Sequence, residues 1–324
     1  CLLEEIDKAG KIPDDICYVN NFKDPDQARC ICLPPGQGKA FKKDMDDLIE
    51  SLKKAIPQIF ESEDYQKQRR GVVDKHRERE KALVKEFETK AKKEGFAVVQ
   101  VQVGPFTRPD IVPVVAANPV PLDQLENLVD QGQFSKETFE NLKVKYGQLS
   151  GEMEQVLKET RKVEKVIQEE LNGLDKSAIS HLVVEAIGDL KEKYPQPKIQ
   201  AYLDEAKDAV LENPSRFQPK AETPQLPIPG LNLPAAPDTF SEYQVNVLVD
   251  NSETKGAPVI IETSPTYRNL FGTIERNVDR MGGMWKTDFT KIKSGSFLRA
   301  KGGYLVLNAL DVFIEPGVWI ALKR

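Results

Sequence analysis

From Leu142 to Leu174 apolar residues recur at alternating spacings of three and four. The series is Leu142, Tyr146, Leu149, Met153, Val156, Val163, Ile167 and Leu174, with Thr160 and Glu170 at the two remaining positions. This is a heptad pattern, and a helix that carries it needs a second helix to cover the stripe. The stretch from Glu61 to Glu94 is the nearest partner: it is dense in charge, with Val73, Leu83 and Phe87 as spaced apolar points. Folded back antiparallel, a helix of about 30 residues spans roughly 45 Å at 1.5 Å per residue. Between the two helices the period changes. Val99, Val101 and Val103 alternate with Gln100 and Gln102, which is strand spacing with one wet face. "GPFTRPD" then supplies a turn, and "IVPVVA" returns as a second strand that Pro113 assigns to an edge. Ser135 and Thr138 are cap candidates for the longer helix. The expectation is a protruding helical arm with a small β tip near 95–117.

The zones on either side read differently. "ICYVNNF" and "ARCICLP", separated by the turn-rich "KDPDQ", suit two short strands of a mixed sheet. "KAFKKDMDDLIESLKKAIPQIF" sets Phe41, Met45, Leu48 and Leu52 on one helical face, with Pro57 interrupting the helix or starting the next turn. "KIQAYLDEAKDAVLEN" is a further amphipathic helix. Residues 218–239 are proline-rich and aperiodic, as in an extended linker. Beyond them "YQVNVLVDN" and "APVIIETS" read as strands and "PTYRNLFGTIERN" as a short helix or loop. Tyr304 to Leu307 form an apolar run typical of a strand covered on both faces, and Pro316 lies near the start of a helix. The fold class is mixed α+β: a partial α/β core in 1–38 and 240–324, interrupted by a long helical coiled-coil insertion over 39–217.

Composition narrows the function. Charged residues make up 30% of the 324, as suits a soluble protein with long exposed helices. A net charge of -5 argues against bulk binding of nucleic acid. No apolar run approaches a membrane span, and "CLLEEIDKAG" is too acidic for a signal peptide. A chain that opens at Cys1 and stops at "WIALKR" is expected to be a fragment of a longer protein. Cys17, Cys30 and Cys32 suggest a metal site but lack a fourth ligand at zinc-like spacing, with neither His76 nor His181 near in sequence. Buried free thiols in a reducing cytoplasm are the simpler reading.

Two stretches invite a nucleotide reading. "LPPGQGKAF" has the Gly38-Lys39 pair of a phosphate-binding loop of pattern G-x-x-x-x-G-K-[ST]. Leu33 stands where the first glycine belongs, and Ala40 where a hydroxyl would hold magnesium, so a Pro-Pro-Gly turn before a helix is the better reading. In "GGYLVLNALDVF" an apolar strand should end in Asp followed by Glu, to hold magnesium and activate water. It ends instead in Asn308 and Ala309, with Asp311 three residues on. The Ser180-His181 pair is no nucleophile and base, because adjacent helical residues point about 100° apart.

"DDICYVNNFKDPDQARCICLPPGQGKAF", "VNVLVDNSETKGAPVIIETSPTYRNLFGTIE" and "TDFTKIKSGSFLRAKGGYLVLNALD" together resemble the Lon-related bacterial proteases with an AAA+ module. The resemblance implies an AAA+ core interrupted by a helical insertion, followed by a peptidase with a Ser-Lys dyad that maps to no residue here. It places Asn308 at the Walker B acid's position, with Asp311 as the neighbouring carboxylate. ATP and Mg2+ are the implied cofactors of the full-length protein, and Asn308 speaks against hydrolysis. The resemblance also implies a cytoplasmic ring, a hexamer, that engages unfolded or damaged proteins. A non-catalytic AAA+ scaffold or chaperone is the alternative, and a coiled-coil DNA-associated ATPase a third reading.

Overall fold

The computed structural model describes residues 10–103, 106–218, 240–278, 285–286 and 288–324. Cys1 and the proline-rich stretch 219–239 lie outside the described residues. The chain divides into two compact units, Cys1–Phe60 with Ala178–Arg324, and Glu61–Ser177. No helix among the described residues is long and apolar enough to cross a membrane.

The first unit opens with β1 (Asp15–Val19) and β2 (Arg29–Leu33), paired antiparallel so that Asp15 faces Leu33 and Val19 faces Arg29. In such a ladder, directly opposed residues share a face and alternate residues change face. Cys17 opposes Ile31, whereas Cys30 and Cys32 oppose Tyr18 and Ile16, so the three thiols are split between the two faces. The trio therefore forms no metal site, and no cluster of His, Cys, Asp or Glu able to hold one occurs among the described residues. Of the expected buried thiols only Cys17 is buried; Cys30 is exposed and Cys32 half-buried. Burial, then the Asp15 charge, push the Cys17 thiol up to about 12.

β2 leaves through Pro34, Pro35 and Gly36. The amide of Gln37 donates to Pro34 O at 3.0 Å and Gly36 has φ of 80°, the positive value that a type II turn demands at its third residue. α1 (Gln37–Glu61) follows, with Phe41, Met45, Leu48, Leu52 and Ile56 buried along one face. It runs through Pro57, whose missing N–H leaves the Lys53 carbonyl without its helical donor.

The second unit begins with α2 (Glu63–Lys93), whose N-cap Ser62 accepts a hydrogen bond from the Tyr65 amide. β3 (Phe96–Val103) and β4 (Phe106–Val115) form an antiparallel hairpin, and β5 (Asn118–Pro119) adds two residues to the far side of β4. Pro113 was expected on an edge strand, but β4 is the middle strand. The carbonyl of Pro113 accepts from Val120 N at 2.9 Å, on the β5 side, so its ring nitrogen points where only the two-residue β5 pairs.

α3 (Leu122–Asp130) and α4 (Lys136–Lys193) follow. The amide of Thr138 reaches Ser135 Oγ at 3.5 Å. α2 and α4 run antiparallel within this unit. Tyr65 donates to Asp175, His76 meets Glu170 at 3.0 Å, Lys90 meets Glu152 at 2.7 Å and Lys145 meets Glu94 at 2.6 Å. Phe87, Ala91, Phe96, Ile111 and Leu149 form a buried cluster, with Leu142, Tyr146, Met153 and Val156 packed against it. The stripe from Leu142 to Val156 is thus covered, by Phe87 and Ala91 of α2 together with Phe96 and Ile111 of the hairpin. The seam includes a residue that the sequence did not mark: His76, only 8% exposed, faces Glu170.

The remainder of α4 belongs to the first unit, where Ile179, Val183, Ile187 and Leu190 are buried one turn apart. α5 (Pro197–Glu212) buries Ile199, Tyr202, Leu203, Ala206 and Val210. Phe41 packs edge-on against Tyr194 at 4.9 Å, and the Tyr194 hydroxyl donates to Asp44 at 2.6 Å. β6 (Val245–Val249) pairs with β1 on the side away from β2. This sheet is antiparallel throughout, not mixed; strand direction is set by connections that local alternation cannot reveal.

β7 (Val259–Glu262) leads to α6 (Tyr267–Phe271), β8 (Thr273–Ile274) and β9 (Asn277–Val278). β10 (Trp285–Lys286), β11 (Ile292–Lys293) and α7 (Ser296–Arg299) precede β12 (Tyr304–Leu307), α8 (Ala309–Ile314) and α9 (Val318–Leu322). β12 pairs parallel with β7, Leu307 opposite Glu262. Gly303 starts this pairing: a Cβ there would fall 2.0 Å from Pro258 O, so only glycine admits the approach. β12 is not covered on both faces. Leu305 and Leu307 pack against Leu270, Val312 and Val318, while Tyr304 is 48% exposed and Ile261 on β7 63%.

Candidate functional site

The "LPPGQGKAF" loop ends at a helix N-terminus, where free amides and the helix dipole favour an anion. That position is filled from within the chain. The carboxylate of Asp15, fully buried, accepts from Gly38 N at 2.8 Å and from Asn251 N at 2.7 Å. A Cβ on Gly38 would lie 3.0 Å from Asp15 Oδ2 and 3.1 Å from Cys17 Sγ, so the glycine serves this internal contact. Lys39 is paired with Asp250. The loop thus binds its own carboxylate where a phosphate loop would bind nucleotide.

At the second nucleotide-like stretch, Asn308 is the N-cap of α8, its Oδ1 accepting from Leu310 N at 3.0 Å. Asp311 lies in the first turn of the same short helix. The amide oxygen that could face a metal is thereby engaged in capping. Asn308 offers a magnesium ion no charge, and its oxygen already serves the helix, which leaves Asp311 as the carboxylate of this turn.

The strand pairing brings in a carboxylate that the sequence did not single out. Glu262 ends β7 directly opposite Leu307, the residue before Asn308. It accepts from Ser296 Oγ, and its other oxygen accepts from Ser264 N at 3.1 Å. Arg299 Nη2 lies 3.7 Å from Glu262 and donates to Ser296 Oγ at 2.9 Å. The Ser296 hydrogen bond, then the Ser264 amide, hold the Glu262 carboxyl below the usual range. A carboxylate with this many donors is an acceptor and a positioning group, not a base poised near neutrality. Only its register against Leu307 reveals it, and that register is a long-range fact.

Beside this network, α6 and β8 on one side and β11 with Ser294 and Arg299 on the other line a polar cavity of about 530 Å³. Arg268, Lys293 and Arg299 are its cations and Glu275 its acid among the described residues. The two walls touch through Gly272 and Gly295: a Cβ on Gly295 would fall 2.4 Å from Gly272 N, and one on Gly272 2.4 Å from Lys293 O.

The parallel β7–β12 pair and the helices that follow it match a family model described as a LonB-like AAA domain, over residues 255–324. The chain therefore carries an AAA module. A second model, described as the Lon-like LonC helical domain, matches residues 15–48, from β1 into α1. Together the two matches support a Lon-related protein, and the family from which these domains come is one of proteases. No match was found among curated proteins.

Proposed function

We propose that this chain is the substrate-handling and AAA portion of a Lon-type serine protease that works without ATP hydrolysis at the stretches described. The observation that carries the reading is the occurrence of two Lon-related matches, at 15–48 and 255–324, on either side of the α2–α4 helical unit. Lon-like AAA proteins generally act on protein substrates and oligomerise. Unfolded or damaged polypeptide is thus the proposed substrate, a hexameric ring in the cytoplasm the proposed assembly, and the helical unit the part that engages the chain to be degraded. The peptide bond would be cut by a Ser-Lys dyad assigned to no residue here. ATP and Mg2+ are cofactors only if a site elsewhere in the protein supplies a phosphate loop and an acid. The self-filled loop at Gly38 and the capping role of Asn308 support independence from them.

The test is degradation of a permanently unfolded protein by the product of the full reading frame, with and without Mg-ATP. Equal rates are expected. A rate that needs ATP would sink the independent mechanism, and no cleavage under either condition, with no Ser-Lys peptidase in the frame, would leave the scaffold or chaperone reading. Asn308 in a capping role is the observation that favours that second reading.

A further inference from the structure

We propose that the cavity between α6–β8 and β11–α7 binds an oxyanion, carboxylate or phosphate, through Arg268, Lys293 and Arg299. Cations reach it from α6, β11 and α7, three separate elements. Its volume of about 530 Å³ lies in the range of small-ligand sites. Glu275 is the sole acid among its described lining residues, and it is already paired with Lys293. Arg268 forms no ion pair among the described residues; the Lys293 hydrogen bond, with the more distant Arg268 charge as the smallest contributor, holds the Glu275 carboxyl below its ordinary range. Among the described residues Arg299 spends only Nη2, on Ser296 and Glu262, and a guanidinium has further N–H donors to offer.

The walls also meet through uncharged contacts. Gly272 and Gly295 meet backbone to backbone, so a side chain at either would force the segments apart. The result is a cavity of set width with a surplus of positive charge, the arrangement that favours charge-assisted hydrogen bonds to planar or tetrahedral oxyanions. The inference stands apart from the protease reading: it concerns what the cavity binds, not what the full protein cleaves.

The experiment is calorimetric titration of the chain at low ionic strength in three arms: inorganic phosphate, acetyl-triglutamate amide, and acetyl-triglutamine amide as the uncharged control. Saturable binding of phosphate or of the acidic peptide is expected, with none for the control. Binding of phosphate alone identifies a phosphate site, binding of the acidic peptide alone a peptide-carboxylate site, and binding of both a general oxyanion site. Arg268→Gln should weaken binding roughly tenfold or more, given the strength of hydrogen bonds to charged groups, and Arg268→Lys should restore most of it. Glu275→Gln, which frees Lys293, should tighten it. Lys323→Gln, outside the cavity, should leave it unchanged. Since Arg268 is exposed and forms no ion pair among the described residues, its variants should keep the parent's circular dichroism and melting. No saturable binding of either anion, or equal losses for Arg268→Gln and Lys323→Gln, would overturn the proposal.

Discussion

Asp15 and Gly38 are joined by a hydrogen bond of 2.8 Å from the glycine amide to a carboxylate with no solvent exposure. The same carboxylate takes the Asn251 amide at 2.7 Å, so one side chain ties the start of β1, the start of α1 and the end of β6 together. Asp15→Ala leaves two buried amides without acceptors. At about 1–3 kcal/mol for each unsatisfied group, a loss of about 3 kcal/mol is expected, read as a lowered urea midpoint. Gly38→Ala should also destabilise, by about 1 kcal/mol, because the close contacts outweigh the gain in helix propensity of about that size. A neutral Asp15→Ala would show that the amides find other partners.

Glu262 should impose an acid limb on stability. Its folded carboxyl titrates below the unfolded value, so its contribution is fully present above the ordinary glutamate range and is lost as pH falls through the lowered folded value. Glu262→Gln should be less stable than the parent at neutral pH, and the difference should shrink on acidification from about pH 5 to about pH 3. Thermal melts across that range measure it. A difference that stays constant with pH would remove the carboxylate from the account.

The α2–α4 seam holds a buried hydroxyl, Thr160 Oγ1, without a hydrogen-bond partner among the described residues. Thr160→Val keeps the shape and removes the orphaned group, so it should stabilise by about 1 kcal/mol. Chemical denaturation of the chain would register this as an upward shift. A downward shift would mean that the hydroxyl has a partner.

Ala116 and Ala117 have φ of 48° and 67° and join β4 to β5. This is the two-residue loop that favours Asn-Gly, and a left-handed conformation costs a residue with a Cβ about 1–2 kcal/mol. Changing Ala116→Asn together with Ala117→Gly should raise stability by about 1–2 kcal/mol in thermal melts. Ala116→Val should lower it. If the paired change were neutral, the turn would be relaxed in solution.

What could be read in advance was what repeats locally. Leu142, Leu149 and Val156 announced a covered helix because their spacing is a property of the helix itself, and Val99 with Val101 announced a strand for the same reason. Leu33 and Ala40 already spoke against a phosphate loop, but not that Asp15 would fill the slot, since 23 residues separate Asp15 from Gly38. Pro113 suggested an edge because its ring blocks a hydrogen bond, but the two-residue β5 left no periodic trace. The place of Glu262 beside Asn308 follows from a parallel register between segments about 45 residues apart, which no local pattern encodes.

The meeting of Gly272 and Gly295 has one more consequence. Main chain at Gly272 and Gly295, the Ser296–Asn269 hydrogen bond and the Phe271–Phe297 stack set the gap between the cavity walls, so the gauge of the socket rests on uncharged contacts. Arg268 takes no part in those contacts and can be exchanged without widening or closing the gap, whereas Glu275 and Lys293 join the two walls and Arg299 holds Ser296. The cavity is thus a fixed frame with a replaceable contact at Arg268, where ligand preference can be retuned while the surrounding fold stays as it is.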